Sequence, residues 1–266
     1  MTKLDDLINW FENEKKVLVA LSGGVDSALV AYAAYQKLGR SALAITADYK
    51  TLASEELETA KNVSSEIGIS HIIIEYDELK NEDFVRNDKN RCFHCRTELG
   101  QHLDSLLKKY NATVIVDGTN LDDLADYRPG IAALRNYGIK SPLVETKFSK
   151  QNVRNEAKRA GLTIFDKPSN SCLASRIPWG QRVTAERLLR IELSEKLVKQ
   201  TINAKQVRVR DLKGVAKLEV GPNELNLLNN KKTLKKISAQ LQLFGFSSVV
   251  VDLEGYRSGK INEIVD

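Results

Sequence analysis

The chain has little of what marks several large protein classes. Its three cysteines are an odd number, too few for a disulfide framework, and suit a reducing compartment. No uninterrupted apolar run approaches the roughly 18 residues that a membrane helix needs. The segment from Met1 to Lys16 reads as a charged amphipathic helix and lacks the basic-then-apolar order of a secretory leader, so a cytoplasmic protein without membrane contacts is expected. Neither sign of charge dominates: 40 basic against 35 acidic side chains leave +5. That is far from the imbalance of a dedicated nucleic-acid binder, although it favours anionic ligands. Aromatics are sparse at 6%, and no internal repeat is visible.

What remains is ordinary globular material, 42% hydrophobic and 28% charged over 266 residues, enough for one large or two moderate domains. Up to residue 165, apolar β-branched runs alternate with helical patterns. Strands are expected at Lys16 to Leu21, Ser41 to Asp48, His71 to Tyr76, Thr113 to Asp117 and near Ser141 to Val144. Helices are expected at Ser27 to Leu38, Ser54 to Ile67, His94 to Tyr110, Gly130 to Tyr137 and Lys150 to Ala160. Such alternation predicts an α/β fold with a Rossmann-like parallel sheet covered on both faces, binding ligands at the carboxyl ends of its strands. Residues 166–182, polar and proline-containing, read as a linker carrying Cys172 and Arg176. Residues 183–266 then read as a small α+β domain: helix Thr184 to Thr201, strands Gln206 to Asp211 and Val215 to Val220, a helix Asn223 to Leu243 that may break near Asn230, and a strand Ser248 to Leu253. Val207, Val209, Leu218 and Val220 alternate with charged residues, which predicts a sheet with one wet face in part of a ferredoxin-like pattern.

The most informative segment is Ser22-Gly23-Gly24-Val25-Asp26-Ser27, set between a β-branched strand and a helix. Paired glycines let backbone N–H groups approach phosphate oxygens, Ser22 and Ser27 add hydroxyls, and the helix N-terminus adds partial positive charge. Asp26 can hold magnesium on a leaving pyrophosphate. A plain glycine-rich turn would need neither the serines nor the aspartate. Val25 and Asp26 stand where a Walker loop would carry its lysine. The hexad resembles the PP-loop of the ATP pyrophosphatases, a superfamily with an adenine nucleotide alpha hydrolase-like fold. That resemblance implies ATP and Mg2+ as cofactors and adenylation, with pyrophosphate released, as the reaction.

Three further segments narrow the class. Asp117-Gly118-Thr119-Asn120 closes the fourth strand and is followed by Asp122, Asp123, Asp126 and then Tyr127-Arg128-Pro129-Gly130. Ser175-Arg176-Ile177-Pro178-Trp179-Gly180 and Gly255-Tyr256-Arg257-Ser258-Gly259-Lys260 follow. Together with the loop they resemble the LarE family of ATP-dependent sulfur transferases, over nearly the whole chain. The resemblance implies that a carboxylate of pyridinium-3,5-biscarboxylic acid mononucleotide is adenylated and that sulfur then replaces AMP, on the way to the nickel-pincer nucleotide cofactor. It also implies a homo-oligomer, and it makes Arg128 and Arg176 clamps for an anionic nucleotide substrate. Gly118 and Asp126 join Ser22, Gly23, Gly24, Asp26 and Ser27 at the nucleotide. Glu195, Arg208, Glu219 and Arg257 match positions near a phosphate and a magnesium ion; charged residues on a wet strand face are the competing explanation.

Cys92-Phe93-His94-Cys95 and Cys172 use every cysteine in the chain. Three thiolates are one short of a closed zinc site but suit a [4Fe-4S] cluster with one iron open to sulfide or to a sulfide donor. In single-cysteine members of the family the cysteine itself is sacrificed. Aligned on Arg176 that position falls at Ser171, whereas Cys172 lies one residue later, so sacrifice of Cys172 stays open as an alternative. So does zinc held by the thiolates with His94. A PP-loop tRNA thiolase also pairs a Cys-x-x-Cys with a third cysteine, but would bring an RNA-binding domain or a marked basic patch. An ammonia-using amide synthetase leaves the cysteines without a role, and a non-catalytic nucleotide sensor leaves the intact hexad unexplained.

Overall fold

The structure is a computed structural model that describes residues 2–124 and 129–257. The chain forms two compact units. One comprises Met1–Glu78 and Cys92–Ser169; the other comprises Leu79–Arg91 and Asn170–Asp266.

In the first unit the described residues place four strands, β1 (Val17–Ala20), β2 (Ala42–Tyr49), β3 (Ser70–Tyr76) and β4 (Val114–Val116), in the order β3-β2-β1-β4, with every pairing parallel. Side chains alternate across a strand, and β1 shows the consequence. Val17 and Val19 join one apolar cluster with Phe11, Leu29 and Leu143, while Leu18 joins another with Ile45, Leu103 and Ile115. Both faces of the sheet are therefore covered, as the unbroken apolar strands predict. The helix Val25–Leu38 buries Ala28, Ala31, Ala33 and Ala34, small residues that let it lie close to the sheet. Because β2 and β3 extend to one side of β1 and β4 lies on the other, the strand order reverses between β1 and β4. Their carboxyl ends flank the crevice where open α/β sheets bind ligands.

The strand expected near Ser141 to Val144 is absent. Pro142 opens a short helix, Pro142–Glu145, and the chain touches the sheet only through a bridge between Val116 and Lys140. Proline lacks the N–H a ladder needs and is pre-set for the first helical position, so the apolar residues that suggested a strand pack from a helix instead. Three other helices, Arg91–Lys109, Pro129–Arg135 and Lys150–Arg159, occur where the periodicity puts them, with shifted ends.

In the second unit β5 (Val207–Leu212) and β6 (Val215–Val220) form an antiparallel hairpin, and β7 (Ser248–Val251) pairs parallel to β6. The hairpin turns at Lys213 and Gly214, both at positive φ, the two-residue turn that matches strand twist. Helix Ala185–Ile202 is capped by the Thr184 hydroxyl and packs on β5. The expected break at Asn230 is a real boundary: a 3-10 helix, Pro222–Leu228, precedes it, and Asn230 caps the helix Lys231–Leu243.

The wet face expected for this sheet is not found. Arg208, Arg210, Asp211 and Glu219 are at most 5% exposed. They are buried because their charges meet one another. Arg210 donates to Glu219 Oε2 from Nε and Nη2 at 3.0 and 2.9 Å. Asp211 accepts from Arg187 Nε at 2.8 Å, from Arg190 Nε at 2.9 Å and from Gly214 N–H at 2.9 Å. Burial opposes ionisation of Asp211, yet these donors outweigh it and leave its pKa below the ordinary carboxylate value.

Candidate active site

The phosphate loop follows β1 directly. Ser27 Oγ accepts from Ser22 N–H and donates to Gly24 C=O, both at 3.1 Å, and lies 3.1 Å from Ser22 Oγ. One hydroxyl thus ties the two ends of the hexad together. Gly23 has φ +77°, and a Cβ there would lie 2.5 Å from Glu56 O, so this position requires glycine twice over. Gly118 abuts the loop from β4: a Cβ on it would stand 2.5 Å from Ser27 N. The sequence marks Gly118 as nucleotide-binding; its geometry shows it as the close approach that lets the turn after β4 sit against the helix N-terminus.

Asp26 points toward the same turn. Asn120 Nδ2 donates to Asp26 Oδ1 at 2.8 Å, while Asn120 Oδ1 accepts from the N–H groups of Asp122 and Asp123 at 3.0 and 3.2 Å. Burial raises the pKa of Asp26; the Asn120 hydrogen bond opposes this, the Asp123 charge adds to it and Lys150 opposes it. Lys150 also pairs with Asp123 at 3.2 Å. Two carboxylates crowded at one mouth, short of neutralising charge, form an oxygen donor set of the kind magnesium takes with phosphate. Asn120 and Asp123 were not assigned roles from the sequence; the signal for both is their place in the turn after Asp117. Asp117 itself is buried and structural, accepting from Thr119 N–H, Thr119 Oγ1 and Ser141 Oγ.

In the second unit Arg176 is fully buried. It forks onto Glu195 through Nε at 2.8 Å and Nη2 at 3.0 Å, and its remaining N–H groups reach Ser171 O, Cys172 O, Ser171 Oγ, Ser175 Oγ and Asn170 Oδ1. Its donors are committed to the Asn170–Ser175 segment, so the geometry makes it the anchor of the Cys172 backbone and not a direct clamp on an anion. Burial opposes ionisation of Glu195, but the charge and hydrogen bonds of Arg176, the charge of Arg208 and the Val209 N–H together hold its pKa low. Both Glu195 oxygens are engaged, whereas Glu219 Oε1 is buried without a hydrogen-bond partner; of the two carboxylates only Glu219 has an oxygen open to a metal. Arg208 stacks on Tyr256 at 5.0 Å, and burial and the charge of Arg176 lower its pKa to about 10, which leaves it cationic at neutral pH. Arg257 is exposed beside this cluster in sequence. Asp126 and Arg128 lie outside the described residues.

Cys92 is exposed and Cys95 buried, both in the first turn of Arg91–Lys109, where a spacing of three puts them on one helical face. Cys172, half-buried, precedes the 3-10 helix Leu173–Arg176. Among the described residues no three His, Cys, Asp or Glu side chains are gathered as ligands of one metal ion.

Residues 16–91 match the family described as queuosine biosynthesis protein QueC, a span that starts just before β1 and contains the phosphate loop. Across 264 residues, 99% of this chain and 98% of the relative, the chain is 40% identical to the uncharacterized protein slr1717 of Synechocystis sp.. It is 29% identical over 265 residues, 98% of this chain and 94% of the relative, to the pyridinium-3,5-bisthiocarboxylic acid mononucleotide synthase of Lactiplantibacillus plantarum. The chain belongs to the LarE family. A further similarity, 29% over 248 residues and 93% of both chains, is to the uncharacterized protein MJ0830 of Methanocaldococcus jannaschii. The LarE-type likeness spans both units, so the buried arginine and carboxylate cluster belongs to the conserved extent as much as the phosphate loop does.

Proposed function

We propose that this protein activates a carboxylate of an anionic pyridinium mononucleotide and converts it to a thiocarboxylate. A carboxylate oxygen attacks the α phosphorus of ATP, pyrophosphate leaves, and a sulfide then attacks the acyl carbon and expels AMP. Adenylation is what makes the exchange feasible, since AMP leaves far more readily than an oxide. The observation that carries this reading is the carboxylate of Asp26, held by Asn120 at the mouth of a serine- and glycine-lined loop with Asp123 beside it. The printed activity of the Lactiplantibacillus plantarum relative, formation of a bisthiocarboxylic acid mononucleotide, supplies the substrate class.

Asp26 and Asp123 would hold the magnesium, which would neutralise charge on the departing pyrophosphate. The loop amides and Ser22 bind the phosphates, and the anchored Arg176 fixes the segment carrying Cys172. Cys92, Cys95 and Cys172 are assigned as thiolate ligands of a [4Fe-4S] cluster on their number and spacing; when bound, such a cluster supplies an iron free to carry sulfide. Anaerobic incubation with ATP, Mg2+, sulfide and either the pyridinium dicarboxylate nucleotide or tRNA tests the reading. Pyrophosphate release and sulfur gain by the small nucleotide are expected. Sulfur gain by tRNA alone, or no pyrophosphate release with either, overturns it. Anaerobically purified protein should be brown and lose that colour on Cys92→Ala. A colourless protein whose mass falls by one sulfur per turnover makes Cys172 the donor instead.

A further inference from the structure

The phosphate loop lacks a lysine of its own, yet an ammonium group sits on it. Lys167 Nζ donates to Gly23 C=O at 3.1 Å, across 144 positions of chain, and also to Glu56 Oε2 at 2.8 Å and Thr59 Oγ1 at 3.1 Å. Three acceptors match the three protons of an ammonium, so the group is saturated and its direction fixed. The stem is fixed too. Arg154 Nη2 donates to Lys167 C=O at 2.8 Å and Arg154 Nη1 to Phe165 C=O at 3.2 Å. The lysine side chain is 17% exposed and Glu56 is 9% exposed, so water competes little for the contact.

The peptide unit joining Gly23 to Gly24 is planar and trans, so its C=O and its N–H point in opposite directions. A lysine that grips the carbonyl on one side therefore aims the Gly24 N–H to the other. Between two glycines that peptide has little steric resistance to rotation, and a flipped unit would present a carbonyl oxygen to the ligand in place of the N–H. An anion repelled by that oxygen needs the unflipped form.

We infer that Lys167 is a positioning residue of the phosphate loop: it locks the Gly23–Gly24 peptide so that the Gly24 amide faces the terminal phosphates of the nucleotide, and it does so without contacting them. This rests on the proposed occupation of the loop by the pyrophosphate part of ATP. It separates Lys167 from a Walker-type lysine, which spends its protons on phosphate oxygens. It also assigns Glu56 and Thr59, in the first turns of Ser54–Ile67, the task of holding the ammonium in place.

Isothermal titration of the full chain with pyrophosphate, ATP and AMP, in the presence of Mg2+, tests this. AMP leaves the terminal-phosphate position empty and serves as the internal control. In Lys167→Met, affinity for pyrophosphate and ATP should fall about tenfold, the scale of one hydrogen bond to a charged group, with AMP affinity unchanged. Lys167→Arg, which keeps a cationic donor for the Gly23 carbonyl, should recover part of the loss. Equal weakening of all three ligands, or no weakening of any, overturns the inference. If Lys167→Met does not fold, Lys167→Gln carries the same comparison, since its amide can still donate to Gly23. Wild-type protein that binds neither ATP nor pyrophosphate would instead sink the proposed function, so the two failures are distinguishable.

Discussion

Asn120 and Asp26 are joined side chain to side chain at 2.8 Å, linking the turn after β4 to the first turn of the helix that follows the phosphate loop. Asn120 has no exposed surface, and its carbonyl oxygen is engaged by two backbone N–H groups, so its amide nitrogen has one direction left to face. The hydrogen bond favours the ionised form of Asp26 against the burial and the Asp123 charge that push its pKa up. Asn120→Ala should therefore leave a carboxylate that is mobile and harder to ionise. Pyrophosphate release is expected to fall by about one to two powers of ten, the effect of removing a positioned hydrogen bond to a charged group, and the Mg2+ concentration for half-maximal rate should rise. A Mg2+ titration of the initial rate checks this; an unchanged requirement would show that Asp26 is not held for the metal.

The phosphate loop and the sheet around it were legible because their signals are local: strand, hexad and helix are adjacent in sequence, and the apolar runs are long enough to fix the strand type. The contacts that finish the site were not. Asn120 reaches Asp26 across 94 positions and Lys167 reaches Gly23 across 144, and no spacing rule connects them. The strand alternation in the second unit was read correctly as two faces, but a charged face was equated with a wet one. Periodicity shows which residues share a face; it does not show that Arg210, Glu219 and Asp211 find opposite charges there. At Ser141 to Val144 the apolar run outweighed Pro142, although a proline at that point favours a helix start.

Arg210 and Glu219 give the second prediction. Both are within 4% of complete burial, and each neutralises the other. Removing one partner leaves a buried charge uncompensated, with Arg208 nearby adding to the positive side. Arg210→Met alone, or Glu219→Gln alone, should cost about 3–5 kcal/mol of stability, whereas the pair Arg210→Met with Glu219→Leu should cost much less. Urea denaturation of the three variants separates these outcomes. If the double variant loses as much as the sum of the singles, the pair is not acting as a coupled unit.

His71 sets a dependence on pH. Thr46 Oγ1 donates to Leu21 C=O, the residue just before the phosphate loop, and so accepts from His71 Nε2 at 2.7 Å; Ser64 Oγ lies 3.1 Å from Nδ1. In the neutral ring Ser64 donates to Nδ1. Protonation reverses that bond, and the Ser64 proton can turn to Lys61 C=O, 2.8 Å away, so no hydrogen bond need be lost. The cost is electrostatic: burial first, and then the Lys61 charge, holds the His71 pKa below its ordinary 6.5. A base with a depressed folded pKa is taken up by protons first in the unfolded chain. Its contribution to stability is complete above pH 6.5 and is lost as the pH falls through the folded value. His71→Gln, which keeps a donor for Thr46 but cannot titrate, should flatten the decline in unfolding free energy on the acid side of that pH. Equal slopes for the variant and the wild type in parallel denaturation series would place the acid sensitivity in other groups.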